Sequence, residues 1–464
     1  MTDLCAVTSA GDKVVLKDDV VCELKRNLRG ELLSSSSDNY NEVRKVWNGM
    51  IDRRPALIAR CAGAADVMTS VRFARKHDLL VCIRGGGHNV AGNAVKDGAL
   101  MIDLSEMKSV RVDPMGQTVR AEPGVLGGDL DRETQVFGLA TPTGVVSTTG
   151  IAGLTLGCGK GWLSSKYGFT IDNLVSADIV TADGELRVAS ATQNEDLLWA
   201  LRGAGHNFGV VTSFEYQLHP VTTMLGGITL YPHDQAAEAL KFYRDFSKDL
   251  PDEVTTGAGL VIMPDGTPAT ELAFCYAGDL EEGERILAPL RHFGSPIEDT
   301  VRPISYVDMQ SMFDEVVPPG RMTYWKTGMT DHVSDEMIDL LIHYMGISPS
   351  PLTLIYIGEY HGASRRVGKT ETAFYHRDLQ YELLIEPIWT DPADSESNMR
   401  WASELYQAVE PYMTQGSYVN YLLDDDYDRI QAAYGENYDR LVTLKQKYDP
   451  TNFFRANQNI VPGV

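Results

Sequence analysis

The sequence predicts an α+β protein with a glycine-rich first unit and a second unit that begins near residue 220. Three observations support this prediction. Early in the chain, short apolar runs alternate with segments whose apolar residues recur at helical spacing. Clusters of glycine follow, and glycine becomes scarce after His219-Pro220. Strands that alternate with helices in this way build α/β or α+β units.

The first unit opens with a strand, a helix and a second strand. Residues 56–61 and 79–84 are short apolar runs typical of strands. Between them, apolar residues recur at helical spacing over 65–78, behind an Asp near the start. Further strands are predicted at 99–105, 109–113 and 118–124. Asp183-Gly184 separates two alternating runs within 177–190 and predicts a β-hairpin.

The second unit mixes longer helices with strands. Helical spacing predicts helices at 234–250 and 281–293, and apolar runs predict strands at 352–360 and 381–389. From about residue 416, a tail rich in Asn and aromatic residues resumes motif-like sequence. We therefore predict that the tail returns to the first unit, which divides the chain into 1–220, 221–415 and 416–464.

The 464-residue chain is acidic, with 64 Asp and Glu against 41 Lys and Arg and a net charge of −23. This balance disfavours nucleic acid and anionic membranes as partners, because both are bound through positive charge. The six cysteines lack zinc-site spacing, so no metal site is predicted. The sequence contains neither a signal-peptide pattern nor an apolar stretch of membrane-spanning length, so we predict a cytoplasmic location.

Three glycine clusters, at 84–92, 148–161 and 202–209, predict an extended ligand with a diphosphate. Glycine lets backbone N–H groups approach a phosphate closely. The usual nucleotide fingerprints are absent. Val90 and Phe208 stand where a GxGxxG motif needs glycine, and a P-loop would need Ser or Thr after Gly159-Lys160. The clusters therefore indicate neither a Rossmann dinucleotide site nor a P-loop.

His88 follows three consecutive glycines at the end of an apolar strand. The local pattern gives this histidine no packing role, so it is a candidate for chemistry. The alternative is a loop histidine that hydrogen-bonds within its own turn.

Four separated segments carry a family pattern: RGGGHNVAG at 84–92, PTGVVSTTGIAGLTLGCGKGWLSSKYG at 142–168, WALRGAGHNFGVVTSF at 199–214 and KYDPTNFFRANQNI at 447–460. They resemble the FAD-linked oxidases of the berberine bridge enzyme group, within the vanillyl-alcohol oxidase superfamily. The resemblance runs from about residue 45 to the C-terminus. It implies an α+β fold with a two-subdomain FAD-binding domain of the PCMH type (1–220 and 416–464) and an inserted α+β substrate domain (221–415).

The resemblance also implies FAD attached covalently through its 8-methyl group to the His88 imidazole. Some members of the family add a cysteinyl bond, but Val146 stands at that position here, so a single histidyl linkage is implied. Cys158 lies deeper in the glycine run, where we interpret it as a small replacement for glycine. The other residues implied to line the cofactor are Arg84, Gly85, Gly86, Gly87, Asn89, Gly92, Thr148, Thr149, Gly150, Ile151, Gly153, Leu154, Gly157, Gly161, Trp162, Asn173, Asn207, Gly209, Val211, Asn457 and Asn459.

The activity implied by the resemblance is hydride transfer from a small organic substrate to the flavin, with molecular oxygen as the electron acceptor. The substrate would be an alcohol, a sugar, an amine or a secondary metabolite. Ile151 matches a position where bulk can block oxygen, and ordinary packing is the other interpretation. Two alternatives stay open: a dehydrogenase that uses another acceptor, and a flavin-binding protein without turnover.

Catalytic groups are predicted on two strands. Alternation over 354–361 puts Tyr356 and Glu359 on opposite faces, and alternation in SYVNYLL puts Tyr418 and Asn420 on one face. Members of the family often carry a glutamate base where Tyr356 stands. We therefore predict Tyr356 as the base, or Glu359 if a β-bulge shifts the register, with Tyr418 and Asn420 as positioning residues. The other interpretation makes Tyr356 a pocket-wall aromatic and Glu359 a solvated residue.

Overall fold

The structure is a computed structural model that describes residues 3–263 and 265–463. Up to residue 220 the strands are β1 (Leu4–Val7), β2 (Lys13–Leu16), β3 (Glu31–Leu33), β4 (Leu57–Arg60), β5 (Val81–Arg84), β6 (Leu100–Asp103), β7 (Val110–Asp113), β8 (Thr118–Ala121), β9 (Leu139–Ala140), β10 (Leu174–Val180), β11 (Leu186–Ser190), β12 (Val210–Gln217) and β13 (His219–Pro220). The α-helices are α1 (Asp18–Asn27), α2 (Tyr40–Val43), α3 (Ala64–Lys76), α4 (Gly127–Gln135), α5 (Ile151–Gly157), α6 (Ser164–Tyr167) and α7 (Glu195–Ala204).

Two sheets organise this part of the chain. β4 and β5 run parallel to β6 between them, and β3 lies antiparallel at the β4 edge. The strands of this sheet are buried apolar runs, as expected where helices cover a parallel sheet. The second sheet is antiparallel, with the order β11-β10-β12-β8-β7. Its β10–β11 hairpin turns at Gly184, whose φ of +78° favours glycine, so the predicted hairpin is confirmed.

Beyond residue 220 the strands are β14 (Thr223–Pro232), β15 (Val254–Ile262), β16 (Pro268–Tyr276), β17 (Glu298–Asp299), β18 (Arg302–Ser305), β19 (Met322–Thr323), β20 (Lys326–Thr330), β21 (Leu354–Glu359), β22 (Tyr381–Glu386) and β23 (Ile388–Trp389). The α-helices are α8 (Ala236–Phe246), α9 (Leu280–Arg291), α10 (Tyr306–Gln310), α11 (Asp335–Gly346), α12 (Ala363–Arg366), α13 (Ser395–Val409), α14 (Ile430–Tyr434) and α15 (Tyr438–Tyr448). No helix in the described ranges is long and apolar enough to cross a bilayer.

An eight-stranded antiparallel sheet dominates this second part. Its order is β17-β14-β16-β15-β21-β22-β20, and β18 also pairs with β14. Helices α8, α9, α11 and α13 pack on one face, where Leu272, Ile355 and Ile385 are buried. Because side chains alternate along a strand, Glu271 and Glu386 belong to the opposite face. All strands of this sheet lie between Thr223 and Glu386.

One predicted strand is wrong. Residues of SYVNYLL form a short 3₁₀ turn at Val419–Tyr421 and belong to no sheet. The Tyr421 N–H donates to the Tyr418 carbonyl, and the Leu422 N–H donates to the Val419 carbonyl. These local bonds take the place of a strand ladder, so Tyr418 and Asn420 are not positioned by β alternation.

Candidate active site

A cavity of about 770 Å³ lies between the glycine clusters and the free face of the eight-stranded sheet. Its walls combine backbone from the first part of the chain with side chains from β15, β16, β21 and β22. Residues of the C-terminal segment, among them Tyr418, Tyr421 and Asn457, close a further side. All three predicted parts of the chain therefore contribute to one cavity.

The glycine clusters form a close-packed backbone wall. A Cβ atom added to Gly86 would lie 2.5 Å from the Gly150 Cα, so the first two clusters can meet only as glycines. A Cβ added to Gly153 would meet nothing within 4 Å, which leaves the backbone at that point open to the cavity. Such a wall presents N–H groups to a ligand without side chains in between.

His88 lies on the cavity wall and stacks on Trp47, with a distance of 4.6 Å between ring centroids. Its Nε2 is buried and has no hydrogen-bond partner among the described residues. Burial lowers the pKa of His88 to about 4, so the imidazole is neutral near pH 7. A neutral imidazole with an unpartnered nitrogen can act as a nucleophile toward a ligand in the cavity.

Lys160 reaches the cavity from the second glycine cluster, and four tyrosine rings surround its ammonium group. The Nζ atom lies 5.1 to 5.9 Å from the ring centroids of Tyr356, Tyr360, Tyr418 and Tyr421. It also contacts the fully buried Glu382 carboxylate, which accepts a 2.7 Å hydrogen bond from the Tyr360 hydroxyl. Burial lowers the pKa of Lys160 to about 7, and the neighbouring Cys158 opposes this shift.

The Tyr418 hydroxyl accepts two hydrogen bonds. The Gly159 N–H donates to this oxygen at 3.1 Å, and Asn420 Nδ2 donates at 2.9 Å. Burial raises the pKa of Tyr418, and these two donors lower it because they stabilise the phenolate. Asn420 in turn is held by the carbonyls of Gly153 and Leu154.

Burial raises the pKa of both Tyr356 and Tyr418, but carboxylates neighbour Tyr356 where hydrogen-bond donors neighbour the Tyr418 hydroxyl. The carboxylates of Glu271 and Glu359 raise the pKa of Tyr356 further. The β21–β22 pairing is regular from Leu354 to Glu359, so the bulge that would turn Glu359 toward Tyr356 is absent. Although Glu359 borders the cavity, its buried carboxylate lies 2.5 Å from His361 Nδ1, which corrects the interpretation of a solvated residue.

Most residues predicted to bind the cofactor lie on the cavity wall. They are Gly85, Gly86, Gly87, His88, Asn89, Thr149, Gly150, Gly153, Leu154, Gly161, Trp162, Gly209, Val211 and Asn457. The four predicted catalytic residues, Tyr356, Glu359, Tyr418 and Asn420, line the same cavity. The structure thus brings together residues that are more than 300 positions apart in the sequence.

Eight predicted cofactor residues lie outside the lining. Arg84 donates to the Val43 carbonyl, and a Cβ on Gly92 would collide with Ile51. Ile151 belongs to the apolar core, as its second interpretation proposed, and Gly157 packs against Asn420. Asn173 and Asn207 bind other parts of the chain, chiefly Phe169, His219 and Gln458. Thr148 Oγ1 and Asn459 Oδ1 are buried without a hydrogen-bond partner among the described residues.

The sequence analysis missed Trp47, Lys160, Trp325, Glu382 and Glu386. A signal existed for three of them. Lys160 interrupts a glycine run, and we tested it only against the P-loop pattern. Glu382 and Glu386 stand within the otherwise apolar segment YELLIEPIW, where a buried carboxylate calls for a partner or a ligand. Nothing near Trp47 or Trp325 in the sequence indicates a site.

The donor set fits a flavin dinucleotide. The backbone wall at Gly86, Gly150 and Gly153 suits a diphosphate, and the unpartnered His88 nitrogen suits covalent attachment to the ring system. No group of three or more His, Cys, Asp or Glu residues in the described chain is arranged to hold a metal ion.

Comparison with known proteins identifies the class. Residues 55–190 match the family described as FAD binding domain, and residues 417–461 match the family described as berberine and berberine like. An FAD-linked oxidoreductase of Dictyostelium discoideum is 33% identical over 96% of this chain and 97% of its own. The (R)-6-hydroxynicotine oxidase of Paenarthrobacter nicotinovorans is 32% identical over 94% and 97%.

Solved structures agree with the sequence relatives. The crystal structure of 6-hydroxy-D-nicotine oxidase from Arthrobacter nicotinovorans has a TM-score of 0.87 and 30% identity, covering 94% of this chain and 98% of that one. A chitooligosaccharide oxidase shares the fold, with a TM-score of 0.85 at 23% identity over 96% of this chain and all of that one. The chain belongs to the berberine bridge enzyme-like family of FAD-linked oxidoreductases, with the PCMH-type α+β fold. It is an FAD-dependent oxidoreductase.

Proposed function

We propose that the protein is an oxidase that holds FAD through one covalent bond to His88 and passes electrons from a small organic substrate to molecular oxygen. The observation that carries the proposal is the buried, unpartnered Nε2 of His88 on the wall of a cavity that also contains Lys160 and four tyrosines. A neutral, fixed imidazole is the species that a covalent bond to the flavin requires. FAD, when bound, supplies hydride acceptance from the substrate and electron delivery to oxygen.

A single linkage is the form that the residues favour. Cys158 is the cysteine of the second glycine cluster, and burial raises the pKa of its thiol well above the usual value. A thiol that stays protonated is a poor nucleophile, because the thiolate is the reactive form. Val146, which lines the cavity, offers no second attachment.

Within this proposal, Tyr418 is better placed than Tyr356 to take the proton that leaves the substrate. A phenol acts as a base through its phenolate, so groups that stabilise negative charge on the oxygen favour it. Tyr418 has the Gly159 N–H, Asn420 Nδ2 and the nearby Lys160 ammonium for this purpose. Tyr356 has two carboxylates nearby instead, which oppose ionisation.

Oxygen is proposed as the acceptor because several of the similar proteins, among them (R)-6-hydroxynicotine oxidase and chitooligosaccharide oxidase, are named as oxidases. Ile151 favours neither an oxidase nor a dehydrogenase, because its side chain belongs to the apolar core. A dehydrogenase is the second candidate. Reoxidation within seconds when substrate-reduced enzyme meets air supports the oxidase, and enzyme that stays reduced for many minutes supports the dehydrogenase.

Acid precipitation tests the covalent bond. Wild-type protein should give a yellow pellet, whereas His88→Ala should release its flavin into the supernatant. His343→Ala, which changes an exposed histidine on α11, serves as the matched control and should keep the colour in the pellet. Wild-type protein that releases all its flavin to acid contradicts the proposal.

A further inference from the structure

Glu386 is a buried carboxylate on the cavity wall without an ion-pair partner among the described residues. It ends β22, its side chain is 5% exposed, and it borders the cavity. Burial raises the pKa of Glu386 to about 8, with the Trp325 indole as a partial offset. A carboxylate in such a place is costly unless a cation or a strong donor meets it.

Two aromatic rings stand beside this carboxylate. Lys326 is paired with Ile385 in the β20–β22 ladder, so the preceding residue, Trp325, lies opposite Glu386. Trp325 packs edge-to-face against Tyr421, with 4.9 Å between the ring centroids. Tyr421 and Glu386 line the same cavity, and the Glu386 charge adds to the burial that raises the pKa of Tyr421. A carboxylate flanked by two aromatic faces attracts organic cations.

The cations near Glu386 are already paired with other carboxylates. The Lys160 ammonium is in contact with Glu382, and the Glu359 carboxylate is bonded to His361. Lys326, next to Trp325, binds Asp425 and Asp426. Glu271, a second cavity carboxylate, also has no ion-pair partner among the described residues, and burial raises its pKa to about 7.

The subsite lies on the same side of the cavity as His88. Trp47 stacks on the His88 ring and also packs edge-on against Trp325, with 6.1 Å between the centroids of the two indoles. A continuous row of aromatic rings therefore leads from the proposed point of cofactor attachment to Glu386.

We propose that Glu386, Trp325 and Tyr421 form a binding subsite for an ammonium group, and that the substrate of this enzyme is a cationic amine. The inference rests on the proposed oxidation in this cavity, and it selects one class from the alcohols, sugars, amines and secondary metabolites that the family resemblance leaves open. The carboxylate neutralises the ammonium charge, and the two rings replace part of its hydration.

Binding of two probes of the same size tests the subsite. The probes are 2-phenylethylammonium and 2-phenylethanol, and their binding to the oxidised holoenzyme is measured from the change in the flavin absorption spectrum. The wild type should bind the ammonium probe about tenfold more tightly or better, as expected for a desolvated cation between aromatic rings and a carboxylate. Glu386→Gln should abolish this preference while binding of the alcohol stays the same, and Glu386→Asp should restore part of it.

Asp131→Asn is the matched control, because Asp131 is an equally buried carboxyl outside the cavity with a pKa raised to about 8. It should keep the wild-type preference. The flavin content and circular dichroism of each variant are measured first, to show that it is folded. If Glu386→Gln is misfolded, Trp325→Phe is used in its place, and it should also weaken ammonium binding. Equal binding of the two probes by the wild type, or an unchanged preference in Glu386→Gln, overturns the inference.

The outcomes separate the subsite from the proposed function. If the wild type oxidises no substrate but Glu386→Gln loses ammonium binding, the proposed subsite is supported and the proposed oxidase activity is contradicted. If the wild type oxidises neutral alcohols and Glu386→Gln changes the binding of neither probe, the oxidase activity is supported and the proposed subsite is contradicted.

Discussion

Replacing Tyr418 with phenylalanine removes one oxygen atom and leaves the ring in place. If this phenol is the base, the rate of flavin reduction should fall by about 10²–10⁴, the usual contribution of a general base. At 1.36 kcal/mol for each factor of ten, this corresponds to about 3–5 kcal/mol of activation free energy. Substrate affinity should change little, because the other cavity residues are unaltered.

The contacts of Tyr418 also set the expected effect on stability. Asn420 keeps its hydrogen bonds to the Gly153 and Leu154 carbonyls, so the buried group left without a partner is the Gly159 N–H. An unsatisfied buried N–H costs about 1–3 kcal/mol in the free energy of unfolding. The variant should therefore fold and bind FAD, which makes its rate a clean measurement.

Anaerobic stopped-flow mixing with saturating substrate measures the reduction rate directly from flavin bleaching. Because burial raises the pKa of Tyr418, the wild-type rate should rise only toward alkaline pH, and in Tyr418→Phe this rise should disappear. Tyr434→Phe changes a buried tyrosine outside the cavity and should behave as the wild type. A Tyr418→Phe rate within threefold of the wild type, together with a large loss in Tyr356→Phe, refutes the assignment and favours Tyr356 as the base.

Three further predictions concern charge and attachment. Lys160→Met should lower the free energy of unfolding by about 3–5 kcal/mol, because it leaves the buried Glu382 carboxylate without its cation, and adding Glu382→Gln should recover most of the loss in thermal unfolding. Asp131 has a pKa of about 8 in the fold against an ordinary value of 3.8, so the folded state binds the proton more tightly and stability should fall as pH rises from about 4 to 8. Asp131→Asn should flatten that dependence, and an unchanged pH profile of the melting temperature would contradict the assignment. Cys158→Ala should keep the same amount of acid-stable flavin per protein as the wild type. A tryptic flavopeptide of the wild type that contains Cys158 would show a second bond.

Local patterns in the sequence determined much of the first part of the fold. The strand, helix and strand predicted at 56–84 correspond to β4, α3 and β5, because apolar periodicity depends on neighbours only a few residues apart. The Asp183-Gly184 hairpin is predictable for the same reason. The prediction of a ligand site at the glycine clusters and His88 is also local, because glycine lets the backbone approach a ligand closely.

Tertiary structure alone decided which side chains meet in the cavity. Lys160 and Glu382 come from opposite parts of the chain, and the β20–β22 register places Trp325 beside Glu386. SYVNYLL alternates as a strand does, yet it forms a 3₁₀ turn whose backbone bonds join residues only three positions apart. Asn173 is predicted to line the cofactor, but its side chain binds Phe169 and His219. Periodicity records which face of an element is apolar, whereas these contacts depend on long-range packing that no local pattern encodes.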